Sequence, residues 1–428
     1  MTIGLPHATL SLLDMLHLDF ERGQCRYVLF YRNLGGSVFI SRILHQSVYR
    51  YTISWRKVTA PCSFMFDTLL GMALNTYVNR IVEGRERLSR SDSRTLLEEI
   101  LDSEAAGDGA RAVHLAALLT ALATRGETPD EIAGFVDAMR AAATPVPLTE
   151  FERAQLVDSC GTGADSSGTF NISTAAALVA AAAGATVAKH GNRAVTSKSG
   201  SADVLEALGI PIGLSPEAGA KALHTHRFAF LHAPSLHPAM KAVMPVRRAL
   251  GIRTIFHLVG PLSNPAGARA QVMGVYAAHL VPIVAEAMRL LGTRHGFVVH
   301  GAVGSAATNG MDEISISGPS QIAEVRGDAV TFYSLTPEQV GLATAPIESL
   351  QGGDAAVNST ILRAIFAGEG GPRRDVVLLN AAAVLIASGV VPTETSDSHA
   401  AFRTAIDLAA GTIDSGTVTQ LVADLVVT

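Results

Sequence analysis

The chain has 428 residues, 48% of them hydrophobic and 17% charged, which supplies apolar material for a large core and excludes a chain disordered throughout. Its 33 basic and 38 acidic residues leave a formal charge of −5, which argues against broad attraction to nucleic acid or an anionic membrane but leaves room for a local basic pocket. The longest small-apolar run, Ala175–Ala188, is shorter than the ~20 residues of a spanning helix, and Cys25, Cys62 and Cys160 are too scattered for a disulfide framework or zinc site. A soluble, cytoplasmic protein of two or three folding units is expected.

Composition changes near residue 71. Residues 1–71 hold ten of the 23 aromatic residues, with seven basic and four acidic side chains, whereas the remainder has 26 basic and 34 acidic ones. The leading segment is richer in arginine than in acid, but Asp14, Asp19 and Glu21 interrupt its start and no cleavage pattern follows an apolar stretch. It is expected to be a disordered extension of no assigned role, or translated upstream sequence with the working start at Met72. The second reading is favoured.

From Met72 the apolar spacing predicts helices. Leu74, Val78 and Ile81 share one face, Leu96, Leu97, Ile100 and Leu101 a second, and Ala112, Leu115, Ala116 and Leu119 a third. A fourth helix starts at Thr128, where Pro129 suits the first turn and Glu131 completes a capping box, and it ends before Thr144-Pro145. This defines a helical domain over 72–150. From about Leu156 short β-branched runs, Gly-rich turns and Ala-rich helices alternate, as in a sheet covered by helices. Strands are expected at Leu156–Asp158, Thr186–Lys189, Val272–Val275 and Gly296–His300, within an α/β domain over 151–428. The first two each lead into a loop and a helix, so their loops should share the rim where open sheets bind ligands.

Those loops carry the chemistry. Asp158-Ser-Cys-Gly-Thr-Gly-Ala-Asp165 runs on to Asn171-Ile-Ser-Thr174 at a helix start, and its glycines, hydroxyls and amides suit an anion. It is neither a P-loop nor a dinucleotide fingerprint, and taken alone an ordinary tight turn is about as good a reading. Lys189-His-Gly-Asn-Arg193 continues through Ala194-Val-Thr-Ser-Lys-Ser-Gly-Ser201 to a helix that Gly209 can end, a dense phosphate-binding composition directly after a buried strand. Farther on, Arg247 and Arg248 are adjacent on a helix and point about 100° apart, so one can face the rim and clamp a carboxylate while the other stays on the surface. The Asp312-Glu313 pair suits Mg²⁺, which takes few carboxylates, several waters and substrate phosphates.

In order, Gly161-Thr-Gly-Ala-Asp165, Asn171-Ile-Ser-Thr174, Lys189-His-Gly-Asn-Arg193, Ser199-Gly-Ser-Ala-Asp203, His237-Pro-Ala-Met-Lys241, Val246-Arg-Arg248, Gly260-Pro-Leu262 and Asp312-Glu313 resemble the anthranilate phosphoribosyltransferases over about Met72–Thr428. The resemblance implies an α/β fold with a small all-helical domain, joined by a later stretch near 238–258, and a large α/β domain with a central mixed sheet flanked by helices. It implies transfer of the phosphoribosyl group of phosphoribosyl pyrophosphate to anthranilate in tryptophan biosynthesis, with two Mg²⁺ ions, by a homodimer joined through the helical domain. The donor would be held by Gly161, Ala164, Asp165, Thr169, Asn171, Ile172, Ser173, Thr174, Lys189, His190, Gly191, Asn192, Arg193, Ala194, Val195, Thr196, Ser197 and Ser201. Anthranilate would meet Gly161, Asn192 and Arg247, and Mg²⁺ would meet Ser173, Asp312 and Glu313. No side chain is assigned as catalytic base, His190 being only a weak candidate. Ala164 departs from the family's usual glycine, Leu236 and His257 stand where other residue types are common, and the loop 302–309 is long. A pyrimidine nucleoside phosphorylase-like enzyme, an enzyme for another arene, and a nucleic-acid-binding relative without activity are the alternatives; the acidic body and the full set of loops count against the last.

Overall fold

The structure, a computed structural model, describes residues 15–22, 25–34, 37–44, 54–58, 74–101, 109–163, 165, 167–194, 198–304, 306–392 and 398–427, the first four stretches and 306–309 by their backbone alone. The chain divides into two compact units, Met1–Met72 and Ala73–Thr428. In the first, β1 (Met15–Arg22), β2 (Cys25–Leu34), β3 (Ser37–Leu44) and β4 (Ser54–Val58) pair in sequence order as an antiparallel sheet.

The second unit opens with helices α1 (residues 74–82), α2 (Arg90–Leu101), α3 (Gly109–Arg125) and α4 (Pro129–Ala141). Leu74, Ile81, Leu97, Leu119 and Phe135 from these helices are buried in one core, whereas Ala112, expected on the apolar face of α3, is exposed. The same core takes in Val243, Ile255, Phe256 and Val259 from farther along the chain. Phe135 meets Phe256 edge-to-face at 6.0 Å, a geometry worth about 0.5–1.5 kcal/mol beyond the area buried. At the start of α4 the Glu131 backbone N–H donates to the Thr128 hydroxyl at 3.2 Å, and the Glu131 carboxylate accepts from the Thr128 N–H at 3.0 Å. That buried carboxylate also accepts from the Leu88 N–H at 2.9 Å and the Arg125 guanidinium at 2.5 Å. A local start signal is thus also a tertiary tie.

The α/β part follows from α5 (Glu150–Gln155). Its strands are β5 (Leu156–Gly161), β6 (Thr186–Gly191), β7 (Phe228–His232), β8 (Ala270–Gly274), β9 (His295–Val303), β10 (Ala306–Met311), β11 (Ser320–Arg326) and β12 (Ala329–Leu335), in sheet order β12-β11-β9-β8-β5-β6-β7 with β10 beside β9. The strands β7, β6, β5, β8 and β9 are parallel, while β10, β11 and β12 run antiparallel to their neighbours. All four expected strands fall in this sheet, although Val275 lies one residue past the end of β8; the antiparallel edge carries no phosphate-type loop that would have announced it. Helices α6 (Ile172–Ala182), α7 (Ser201–Leu208), α8 (Pro216–His226), α9 (Ala233–Leu236), α10 (Met244–Leu250), α11 (Phe256–Leu262), α12 (Leu280–Leu290), α13 (Ala355–Phe366), α14 (Pro372–Ser388), α15 (Ser398–Asp414) and α16 (Thr417–Val426) complete the unit. The Ala-rich α6 is buried along most of its length and packs against α14, whose residues 376–387 are also buried. Small side chains let α6 lie close under the sheet, and this places its N-terminus at the rim.

Candidate active site

The loops leaving β5 and β6 lie on one rim, as parallel pairing requires. Asn171 ties them together: its side-chain amide donates to the Ser199 carbonyl at 3.1 Å and its oxygen accepts from Asn358 at 2.8 Å. Within the second loop Asp203 accepts from the Ala194 and Gly200 N–H groups at 2.8 and 2.9 Å, so α7 holds the turn that precedes it. Arg193 is taken up by Asp203 and Glu206 at 3.0 and 2.8 Å. Its charge is therefore directed at α7. The Ser201 hydroxyl reaches the Asn192 carbonyl at 3.4 Å. Ala164, Val195, Thr196 and Ser197 lie outside the described residues.

The acidic pair faces the loop after β5 at both of its ends. Asp312 accepts from the Gly163 N–H at 2.7 Å, and its own N–H donates to Asp165 at 3.3 Å. Glu313 accepts from the Ser173 N–H at 3.0 Å, at the first turn of α6. Lys189, 1% exposed, donates to the Ser159 carbonyl and to the Ser173 hydroxyl at 3.4 Å. Burial, together with the neighbouring Asp165 and Glu313, pushes the Asp312 carboxyl well up, and burial lifts Glu313 to about 7. Burial pushes the Lys189 ammonium down, against the pull of Asp158 and the acidic pair. The protein alone thus leaves a cluster of carboxylates short of positive charge, which is the condition a hard cation relieves. No group of three or more metal-ligating side chains is preassembled among the described residues, so the pair fits an ion that shares its coordination with phosphate oxygens and water better than a closed cage.

Glycine makes room for the pair. A Cβ on Gly274, at the end of β8, would collide with the Asp312 carbonyl, and one on Gly161 would collide with the Asp312 carboxylate. Behind the pair, the Asn380 side chain accepts from the Ile314 N–H at 2.9 Å and donates to the Ile314 carbonyl at 2.9 Å. It copies a strand partner and fixes the backbone next to Glu313.

On the other side of the loop, His190 and His237 pack with ring centroids 5.1 Å apart. Each donates one ring nitrogen to a backbone carbonyl, of Gly260 and of Ser263 respectively, and each Nε2 is buried without a partner. Burial drives His190 down to about 3 and His237 to about 4, so both are neutral and Nε2 is an acceptor. Asp158 holds this corner from beneath, accepting from the His190 N–H at 3.1 Å and from Asn264 at 2.9 Å. Burial pushes Asp158 up to about 6. Arg247 on α10 lies over the Phe256 ring at 5.2 Å and has no carboxylate partner among the described residues, while Arg248 is exposed. Burial lowers the Arg247 pKa. The motif reading located these loops but passed over Asp158, Asn264, Gly274 and Asn380 as ligand-positioning residues. Asn264 lies just past the Gly260-Pro-Leu262 motif, and nothing in local composition marks a side chain that acts on another element's backbone.

A helical bundle set on a mostly parallel sheet, with a glycine-rich loop facing an acidic pair, defines a transferase of the glycosyl transferase family: the family's a/b domain matches residues 153–418 and its helical bundle domain residues 75–143. An anthranilate phosphoribosyltransferase of Solibacter usitatus is 48% identical over 322 residues, 75% of this chain and 91% of that protein. The crystal structure of anthranilate phosphoribosyltransferase from Thermus thermophilus is 40% identical, with a TM-score of 0.72 over 82% of this chain and 98% of that one. The Saccharomyces cerevisiae enzyme in complex with PRPP and Mg is 26% identical, with a TM-score of 0.72 over 83% of this chain and 98% of that one. The chain belongs to the anthranilate phosphoribosyltransferase family.

Proposed function

We infer that the second unit transfers the phosphoribosyl group of phosphoribosyl pyrophosphate to the amino group of anthranilate. The observation that carries this reading is the meeting of Asp312 and Glu313 with the N–H groups of Gly163 and Ser173, which sets an acidic cation site against both ends of the loop that follows β5. The bond from the anomeric carbon to the diphosphate oxygen breaks with its electron pair leaving on diphosphate. The amine nitrogen forms the new bond to that carbon and then loses a proton to water.

Lys189, the N-terminus of α6 and the N–H groups of both loops would hold the diphosphate, whose charge grows as it departs. Asp312 and Glu313, with the Ser173 hydroxyl, would hold Mg²⁺, which when bound offsets charge on the leaving oxygens. Two ions are proposed, each completed by phosphate and water. Arg247 would clamp the anthranilate carboxylate, and Gly161 and Asn192 would border the ring. Anthranilate's amine is already neutral, so alignment with the anomeric carbon is the main task. At about 3, His190 is too weak a base to take a proton near neutrality. Its Nε2 lone pair suits an amine N–H as a hydrogen-bond acceptor, which would orient the nucleophile.

Among the described residues no helix is long and apolar enough to cross a membrane. A cytoplasmic homodimer is proposed, to be checked by sedimentation. With Mg²⁺ and phosphoribosyl pyrophosphate, the protein should consume anthranilate, seen as loss of its fluorescence, and a chain beginning at Met72 should retain that turnover. A folded protein without turnover would overturn the reading; turnover by the full chain alone would move part of the function into the first unit.

A further inference from the structure

On the sheet's opposite rim, before the parallel strands begin, a cavity of about 340 Å³ lies between the C-terminal end of α4, helix α5, and the turns that lead into β8 and β9. Strand β5 has six residues, so at about 3.3 Å per residue roughly 15–20 Å separates this cavity from the catalytic loops. Arg140, Arg153 and Arg269 line it, with Glu150 as the one acidic residue.

The charges do not balance. Glu150 serves two of the arginines, Arg269 at 3.2 Å and Arg153 at 3.6 Å. Arg140 donates only to the Leu262 carbonyl, at 2.8 and 3.1 Å, and has no carboxylate within ion-pair distance among the described residues. The nearest candidate, Asp137, is held by both forks of Arg90 at 2.7 and 3.0 Å. Burial pushes the Arg140 pKa down to about 10 against the pull of Asp137, with repulsion from Arg269 and Arg90 adding to the fall. Three guanidinium groups and one carboxylate, which pairs with two of them, thus surround a space large enough for a small molecule. Among the lining residues only Ala268 and Leu291 are apolar, so the lining favours a charged ligand over an apolar one.

We propose that this cavity is a second anion site, which takes a compact phosphate-type dianion between Arg140 and Arg269. Guanidinium forks match the geometry of phosphate oxygens, and a dianion would neutralise the excess charge. Because Arg140 belongs to the bundle and Arg269 to the sheet, the bound anion would bridge the two parts of the unit.

Arg269 permits a clean test. Its side chain is half exposed and its partner is Glu150, whereas Arg140 and Arg153 support backbone carbonyls whose loss would unsettle the fold. Inorganic phosphate is titrated calorimetrically at mildly alkaline pH, where it is a dianion, in low salt without Mg²⁺. The wild type should show two classes of site. Arg269→Ala should lose the class at the far rim, with at least tenfold weaker binding, and keep anthranilate turnover. Glu150→Gln should strengthen that class several-fold, because it removes the competing carboxylate. Arg403→Ala, an equal charge change elsewhere, should leave it alone. Unchanged titrations for Arg269→Ala and Glu150→Gln would overturn the proposal, because all binding would then belong to the catalytic loops. An equal loss in Arg403→Ala would also overturn it, by showing that only overall charge matters.

Discussion

The two sides of the rim proposed as catalytic, one assigned to the donor and one to the acceptor, are built on opposite plans. On the donor side, the loops after β5 and β6 are tied by their own side chains, as Asp203 holds Ala194 and Gly200 and Asn171 spans to Ser199 and Asn358. Protein–protein hydrogen bonds are largely complete there, and what is missing is positive charge beside Asp165, Asp312 and Glu313. On the acceptor side the reverse holds. Nε2 of His190, Nε2 of His237 and the Arg247 guanidinium are buried or half-buried with no strong protein partner. The donor side is a finished frame that awaits a cation. The acceptor side consists of directional groups left open for a small polar ligand.

If that contrast holds, the largest effect comes from removing charge on the donor side. Asp312→Asn keeps the volume and the acceptor for Gly163 while discarding the charge, and it should lower kcat/KM by roughly 10²–10³-fold. A raised Mg²⁺ requirement with normal folding would tie the loss to the cation. A loss of less than threefold would break the assignment of the acidic pair. On the acceptor side, Arg247→Ala should raise the anthranilate KM by about 10–100-fold, an interaction of 1.4–2.8 kcal/mol. The KM for the phosphoribosyl donor should change far less. Equal rises in both constants would make Arg247 a packing residue of the bundle.

Asn380→Ala asks how far the frame depends on what lies behind it. The variant leaves the Ile314 N–H and carbonyl unsatisfied in the interior, a cost of roughly 1–3 kcal/mol, and it frees the backbone next to Glu313. Activity should fall about tenfold and be partly restored by excess Mg²⁺. Loss of stability with an unchanged Mg²⁺ response would confine Asn380 to the fold.

Most of the frame was legible in the sequence because it rests on short-range rules. The capping box at Thr128 and Glu131 and the helix stop at Gly209 are fixed by residues within a few positions of one another, whereas β5 and β6 run on to Gly161 and Gly191, past the expected ends at Asp158 and Lys189. The loops could be read for the same reason, since anion-binding composition is local. Gly274 and Asn380 were not legible. Each acts on the backbone around Asp312 from a separate element, and a single sequence records no such pairing. The ring tautomers of His190 and His237 were hidden too, because they depend on the carbonyls of Gly260 and Ser263, brought in from α11 and the turn after it. The charge deficit of the far cavity depends in the same way on one carboxylate, Glu150, being shared by Arg153 and Arg269.

The smallest effect tests the open side through pH. An exposed histidine titrates near 6.5, whereas burial holds His237 at about 4 in the folded protein. Between those values the unfolded chain binds the proton and the folded one does not, so acidification favours unfolding. The stabilising effect of keeping His237 neutral is therefore complete above pH 6.5 and is lost as the pH falls from 6.5 to about 4. His237→Asn keeps a polar side chain without the titration, so its melting temperature should fall less between pH 7.5 and pH 5 than that of the wild type, by a few degrees. An unchanged difference would mean that His237 is already open to water. Anthranilate should narrow the wild-type fall if it covers Nε2, because a bound ligand stabilises the neutral form it contacts.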